Sequence, residues 1–259
     1  MTAGLSVENL EVRFGSSTVV KGISFDVPPG AVLGLVGESG SGKSTTARAI
    51  VGLTPSRGAI RIGELDLSAV SAGARRRGRR RVQMVFQDSR SSLDPRFTVA
   101  QCVAEGLPRF DRGRVTELLK LVSLDPGLQN SRPGQLSGGQ RQRVAIARAL
   151  AAEPDVLIAD EVTASLDVSV QAVVLNLLRR LQRELGLTML FISHNMAVVR
   201  YMADELAVMY GGRIVEHGPV QDVIDRPEDP YTRSLLAAIP EIGQRRLLAD
   251  DDELALEAR

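Results

Sequence analysis

Gly37, Glu38, Ser39, Gly40, Ser41, Gly42, Lys43 and Ser44 match the spacing G-x-x-x-x-G-K-[ST]. These residue types at this spacing suit the grip of a polyphosphate. Glycines let the backbone curl so that successive N–H groups point inward at phosphate oxygens. A helix starting near Lys43 adds the partial positive charge of its N-terminus. Lys43 then reaches the β- and γ-phosphates, the Ser44 hydroxyl ligates Mg²⁺, and Thr45 completes the set. The bland alternative is a glycine-rich turn before a helix that holds no ligand. The apolar run before the glycines and the helical run after them are the context the motif requires.

Two further clusters follow. Residues 156–161, Val-Leu-Ile-Ala-Asp-Glu, form an apolar run closed by two carboxylates. In a parallel sheet ligands bind beyond the carboxyl ends of strands, which sets Asp160 and Glu161 beside the phosphate loop. Asp160 is expected to hold Mg²⁺ and Glu161 to act as general base toward water, unless the pair only caps a helix. Leu136, Ser137, Gly138, Gly139 and Gln140 precede a run of good helix formers. That is a second anion-binding helix start, or Ser137 is a plain N-cap. One triphosphate rarely needs two such helix starts from one chain, whereas two copies arranged head-to-tail would use both.

The elements that must position these groups are legible as patterns. Residues 6–14 and 23–27 read as strands around a turn at 15–17, and 31–36 as a buried parallel strand. Residues 43–53 continue as a helix, and 59–62 and 82–86 as strands. Residues 89–96 are loop-like, and 98–107, 115–122 and 140–151 have helical periodicity with Pro-Gly punctuation between them. Then come a strand at 156–159, a helix at 168–185, a strand at 188–192, and a hairpin of 205–210 and 213–216 turning at Gly211 and Gly212. Two short helical patterns follow Gly218, and the acidic run 250–253 is expected to fray. The expectation is an α/β phosphate-loop core, mostly parallel, with an antiparallel β portion near the N-terminus and an α-helical subdomain. The boundaries are 1–88 and 152–225 for the core, 89–151 for the helical subdomain and 226–259 for a C-terminal extension.

Composition narrows the class. The 259 residues carry a net charge of +1, which gives no global drive toward nucleic acid or anionic lipid. No run of eighteen apolar residues exists to span a bilayer, and no secretory signal is read at the N-terminus. The lone Cys102 excludes an internal disulfide and fits a reducing compartment. Aromatics are 3% and Trp is absent, so base-stacking surfaces are not expected. Lysine occurs only at 21, 43 and 120, against many arginines, a compositional bias that makes Lys43 conspicuous.

In its order of motifs the chain resembles the nucleotide-binding subunits of ATP-binding cassette (ABC) transporters over almost its whole length. Phe14 stands where such proteins stack an aromatic on adenine, and Gln87 follows a strand. The sequence at 136–140 matches the family signature, Asp167 closes an Ala-Ser-Leu-Asp turn, and His194 follows the strand at 188–192. The resemblance implies that Gln87 touches Mg²⁺ and the attacking water and reports occupancy to membrane subunits. It further implies that Ser137 and Gly139 bind the γ-phosphate of ATP held by a second cassette, with Gly138 and Gln140 part of the same nucleotide-binding signature. Asp167 would face that partner's phosphate loop, and His194 would contact the γ-phosphate. Simpler readings stand beside these: Phe14 as core, Gln87 as a surface amide, Asp167 as an N-cap, His194 as structural. Val162 replaces the family's usual Pro and Asn195 its frequent Asp, and neither change removes a charged catalytic group.

The resemblance also implies an ATPase that takes ATP and Mg²⁺ and sits peripherally on the cytoplasmic face of the inner membrane. Its implied partners are two permease subunits, a second cassette of the same or a paralogous chain and, indirectly, a solute-binding protein. Residues 85–96 and 229–240 resemble the peptide and nickel importer subfamily, with dipeptide or oligopeptide uptake favoured over nickel or metal chelates and both over export. No cysteine cluster accompanies them, so no iron–sulfur centre is expected. A nucleic-acid-directed ABC ATPase is the rival class. Its one hint is the run from Arg75 to Arg81, six arginines in seven positions, which also reads as a solvated helix face. No nucleic acid is expected as a partner.

Overall fold

The computed structural model describes residues 3–71, 73–74 and 78–238, apart from the side chains of Ser89 and Arg90. Among them are two sheets. The smaller is antiparallel and contains β1 (Leu5–Phe14), β2 (Ser17–Val27), β4 (Arg57–Ile62) and β5 (Leu65–Asp66), ordered β2-β1-β4-β5. Leu5, Val7, Leu10 and Val12 of β1 are buried while Glu8, Asn9 and Arg13 face out. The alternation survives a slip between Val7 and Leu10, where the register with β2 shifts and Asn9 takes φ 48°. Asparagine tolerates that left-handed conformation, and the resulting bulge returns Leu10 to the core face.

The larger sheet contains β3 (Val32–Val36), β6 (Val82–Val85), β7 (Val156–Asp160), β8 (Thr188–Ile192), β9 (Glu205–Tyr210) and β10 (Arg213–Pro219), ordered β10-β9-β3-β8-β7-β6. All pairings are parallel except β10 on β9. Every residue of β3, β7 and β8 is buried, the physical origin of their uninterrupted apolar runs: parallel strands are covered on both faces. On one face α1 (Lys43–Ile50) and the small sheet cover Leu33, Leu35, Ile158 and Ile192. On the other, Val32, Leu157 and Phe191 join a core built with helices. These include α3 (Val99–Ala104), α4 (Arg112–Leu121), α5 (Gly138–Leu150), α6 (Val168–Leu185) and α7 (Met196–Met202). In mid-β3, Gly34 lets α7 approach: a Cβ there would lie 2.5 Å from Val199 Cγ1.

Helix starts follow capping chemistry. Thr98 and Gln101 close a capping box at α3, Asp111 caps α4 through Arg114 N–H, and Gly186 with φ 64° ends α6. The segment 89–96, read from sequence as loop, contains a single turn, α2 (Ser89–Ser92), closed by Ser92 N–H on the Asp88 carbonyl at 3.2 Å. One turn is too short to carry a periodic pattern. β2 starts at Ser17, earlier than the apolar pattern suggests, because it pairs with β1 from Phe14 onward. β5 is a two-residue strand held by β4 alone. The helical patterns after Gly218 form α8 (Val220–Asp225) and α9 (Pro230–Ala237). The acidic run 250–253 lies outside the described residues, as do Arg75, Arg76 and Arg77.

Cys102 on α3 is fully buried, and burial, aided by Glu105, pushes its thiol up to about 11. The thiolate is the reactive form, so the side chain is shielded twice. The native protein is expected to leave Cys102 unlabelled by a disulfide reagent at neutral pH, with one equivalent labelled after denaturation. Rapid stoichiometric labelling of native protein would contradict this packing.

Candidate functional site

The loop between β3 and α1 is shaped by glycines that no other residue could replace without strain. Gly37, Gly40 and Gly42 have φ 146°, 83° and 110°. A Cβ on Gly37 would lie 2.1 Å from the Met209 carbonyl oxygen, and one on Gly42 would lie 2.7 Å from Met209 Cε. The curl therefore needs both conformational freedom and space. Lys43 opens α1 yet is 5% exposed, its ammonium folded back onto the Gly37 and Glu38 carbonyls at 2.8 Å each and toward Ser41 Oγ at 3.3 Å. Burial lowers its pKa, opposed by the charges of Glu161, Asp160 and Glu38. The Ser41 carbonyl accepts the Gly212 N–H at 3.1 Å, tying the loop to the β9–β10 turn.

Asp160, the last residue of β7, is 3% exposed and accepts the Ser44 hydroxyl at 3.0 Å. Burial raises its carboxyl pKa and the neighbouring Glu161 adds to this, while Ser44, Arg48 and Lys43 oppose. Half-buried Ser44 Oγ and buried Asp160 Oδ1 thus form a pair of hard oxygen donors next to Lys43, a donor set of the chemistry Mg²⁺ selects. Gln87 follows β6, exposed, beyond the same strand ends, since Val85 is paired with Ala159.

Glu161 leaves the strand with φ 47°, its N–H on the Ile192 carbonyl at 2.9 Å. This left-handed step turns its side chain out of the β alternation. Glu161 Oε1 lies 3.5 Å from His194 Nδ1, and with Thr163, Ala164, Gln171 and Ser193 they line a small polar cavity of ≈ 60 Å³, room of the order a water needs. A larger cleft of ≈ 470 Å³, lined by Gly52, Leu53 and Arg79 among others, lies past the other end of α1, away from these groups. Asn195, where an Asp was the more frequent expectation, caps α7 by accepting the Ala197 and Val198 N–H groups.

The second helix start is built separately. Ser137 Oγ accepts Gln140 N–H at 3.2 Å and Ser137 N–H donates to Gln140 Oε1 at 2.9 Å, a complete capping box for α5. A Cβ on Gly139 would stand 2.4 Å from Val170 Cγ1 and one on Gly138 3.2 Å from Leu166 Cδ2. The glycines therefore also let α5 begin against α6. Asp167 caps α6 through Val170 N–H at 2.9 Å and the Ser169 hydroxyl at 2.7 Å, bonds that lower its pKa. Its N-cap role is thus present whatever else it does. Among the described residues no hydrogen bond joins this group to the phosphate loop.

Phe14, at the end of β1, is 55% exposed, so it is not core. It sits on the hairpin whose second strand reaches Gly42, with the Val19 carbonyl 3.3 Å from where a Cβ would be. Of the arginine run, Arg81 pairs with Asp155 at 2.6 Å and Arg80 donates to the Gly106 carbonyl at 3.0 Å. Sequence reasoning missed Arg48, which bears electrostatically on Asp160, and the hydroxyl of Tyr231, which accepts the Glu38 N–H of the loop at 2.9 Å; neither contact is one that a motif or a periodic pattern marks.

The larger sheet, the glycine loop at its strand ends and the group of Lys43, Ser44 and Asp160 beside it define a phosphate-loop nucleoside-triphosphatase fold. The chain belongs to the ABC transporter family: residues 20–164 match that family's profile. Residues 215–256 match a second profile, the oligopeptide/dipeptide transporter C-terminal region. A Brucella ovis protein described as a peptide import ATP-binding protein is 47% identical over 250 residues, covering 91% of this chain and 78% of its own. The glutathione import ATP-binding protein GsiA of Pectobacterium atrosepticum is 46% identical over 255 residues, 91% of this chain but 41% of its own. Among solved structures, CbiO1 of Clostridium perfringens, part of the ABC transporter complex CbiONQ, superposes with TM-score 0.78 at 30% identity, covering 93% of this chain and 98% of that one. The cassette MJ0796, a dimer in a post-hydrolysis state with ADP and phosphate, gives TM-score 0.71 at 27% identity over 83% and 98%. The chain is accordingly an ATP-binding cassette with ATPase activity.

Ser137→Ala removes one half of the α5 capping box. It is expected to cost about 1 kcal/mol of stability, lowering Tm by roughly 2–4 °C, as read by calorimetry. An unchanged Tm would show that the box does not hold this helix start.

Proposed function

We propose that this chain is the ATP-hydrolysing subunit of an importer for dipeptides or oligopeptides, working against two permease subunits at the cytoplasmic face of a membrane. The observation that carries the reading is the pairing of a full nucleotide-hydrolysis group with a C-terminal segment that matches the oligopeptide/dipeptide transporter region. The names of the Brucella and GsiA relatives support the same cargo class, and among the described residues no helix is long and apolar enough to cross a membrane. In this reading the core is 1–88 with 152–225, the helical subdomain 89–151 and the extension 226–259.

The proposed roles follow from placement. The loop from Gly37 to Thr45 wraps the phosphates of ATP, which the Lys43 ammonium and those loop N–H groups not already bonded within the fold hold; the Glu38 N–H is bonded to the Tyr231 hydroxyl. Binding draws Lys43 off the loop carbonyls and onto anionic oxygens. Ser44, Asp160 and Gln87 would hold Mg²⁺. The metal's contribution is to neutralise charge on the transferring phosphoryl group. Glu161 accepts a proton from a water in the small cavity, and His194 orients that water and the γ-phosphate edge. Phe14 offers its exposed ring to the base. Ser137, Gly138, Gly139, Gln140 and Asp167 complete the site of a second cassette, the same chain or a paralogue, so that hydrolysis waits on closure of the pair.

Tagged Glu161→Gln protein drawn from its native membrane with MgATP is expected to bring two multi-span permeases and a solute-binding protein loaded with peptide. The assembled complex should hydrolyse ATP at least about a hundredfold slower than wild type, about 2.7 kcal/mol of barrier. Near-normal turnover would refute the general-base role. A nickel-loaded binding protein, or nucleic acid without permeases, would overturn the cargo.

A further inference from the structure

Tyr231, at the start of α9, makes a contact that covering the core does not require. Its hydroxyl accepts the Glu38 N–H of the phosphate loop at 2.9 Å across 193 residues of sequence. The Glu38 peptide is thereby held from both sides, because its carbonyl accepts Ser41 N–H at 3.1 Å and the Lys43 ammonium at 2.8 Å. The Tyr231 ring lies against Tyr210, centroids 4.2 Å apart with planes at 30°. Tyr210 ends β9, and two residues on Gly212 donates to the Ser41 carbonyl. Two peptides of one loop are thus fixed by neighbouring groups outside it.

The hydroxyl is itself rigidly delivered. Glu216 on β10 accepts the N–H groups of Glu228 and Asp229 at 2.8 and 3.1 Å. Asp229 caps α9 by accepting Tyr231 N–H at 2.8 Å, and Arg233 donates to the Pro227 and Glu228 carbonyls at 3.0 and 2.8 Å. A helix that merely covered apolar surface would use Leu235, Leu236 and the Tyr231 ring, which do pack on the core. A phenylalanine would serve that end equally. The hydroxyl serves only the loop.

We propose that Tyr231 is a positioning residue of the nucleotide site and that residues 226–238 brace the phosphate loop through its hydroxyl. A loop with three left-handed glycines loses much conformational freedom when its N–H groups converge on phosphate. A brace that holds it converged beforehand strengthens binding without touching the reacting atoms. The inference rests on residues 37–45 being the ATP site.

The test compares wild type with Tyr231→Phe as full chains, titrated with ATP and with ADP in Mg²⁺ by calorimetry well below Tm. Loss of one neutral hydrogen bond is expected to weaken both nucleotides by the same factor, roughly three- to tenfold. In the assembled complex KM for ATP should rise accordingly while kcat at saturation stays within about twofold. Tyr231→Ala, which removes ring and hydroxyl together, must weaken binding at least as much. Equal affinity of Tyr231→Phe and wild type, or a fall in kcat at unchanged KM, would overturn the brace. Failure of wild type to bind ATP at all would instead sink the functional reading on which it rests.

Discussion

The tight curl of the glycine loop after β3 is the constraint to which the rest of the molecule answers. Such a curl exists only where three glycines take left-handed φ and where nothing occupies the space a Cβ would need. It must also be anchored at both ends by elements that do not move. β3 supplies one anchor, flanked by β8 and β9 and buried along its whole length. The other is α1, packed between the two sheets with Ala47 and Ile50 fully enclosed. Burial disfavours the charged forms of Lys43 and Asp160; the charges of Glu161, Asp160 and Glu38 offset this at Lys43, and the Ser44 hydroxyl, Arg48 and Lys43 offset it at Asp160.

The second helix start answers to a different constraint. Its capping box and small residues bring α5 and α6 together at their beginnings, yet its hydrogen bonds stay within its own layer. The capping bonds of Ser137, Gln140 and Asp167 are the structural role these residues have within the chain. In the proposed function this helix start would meet an anion carried by a second cassette. Closure of such a pair would complete each site only when both loops are filled, which links occupancy to motion.

Much of this was legible in the sequence because strong local rules and tertiary context agree. The runs at 156–159 and 188–192 read as buried strands since parallel strands have no polar face to show, and 168–185 matched its helix because Asp167 and Gly186 punctuate it. What escaped depends on pairing or on distance in sequence. The first residues of β2 and all of β5 are strands only because β1 and β4 hold them. The left-handed step at Glu161 follows no propensity, since glutamate has none for it. Exposure of Phe14 could not be told from an aromatic in an alternating strand. Tyr231 meeting Glu38 is a contact no periodicity encodes.

In the proposed function the signature face of this chain completes the ATP site of another cassette. Val168, next to Asp167 and exposed, can carry a photoreactive side chain with little disturbance. Irradiation of the assembled complex, with adducts sized and mapped by mass spectrometry, is the direct measurement. The expected product is an adduct dependent on MgATP, of two-chain mass, joined to the phosphate loop of a separate cassette chain. Adducts of single-chain mass, or adducts formed equally without ATP, would contradict it.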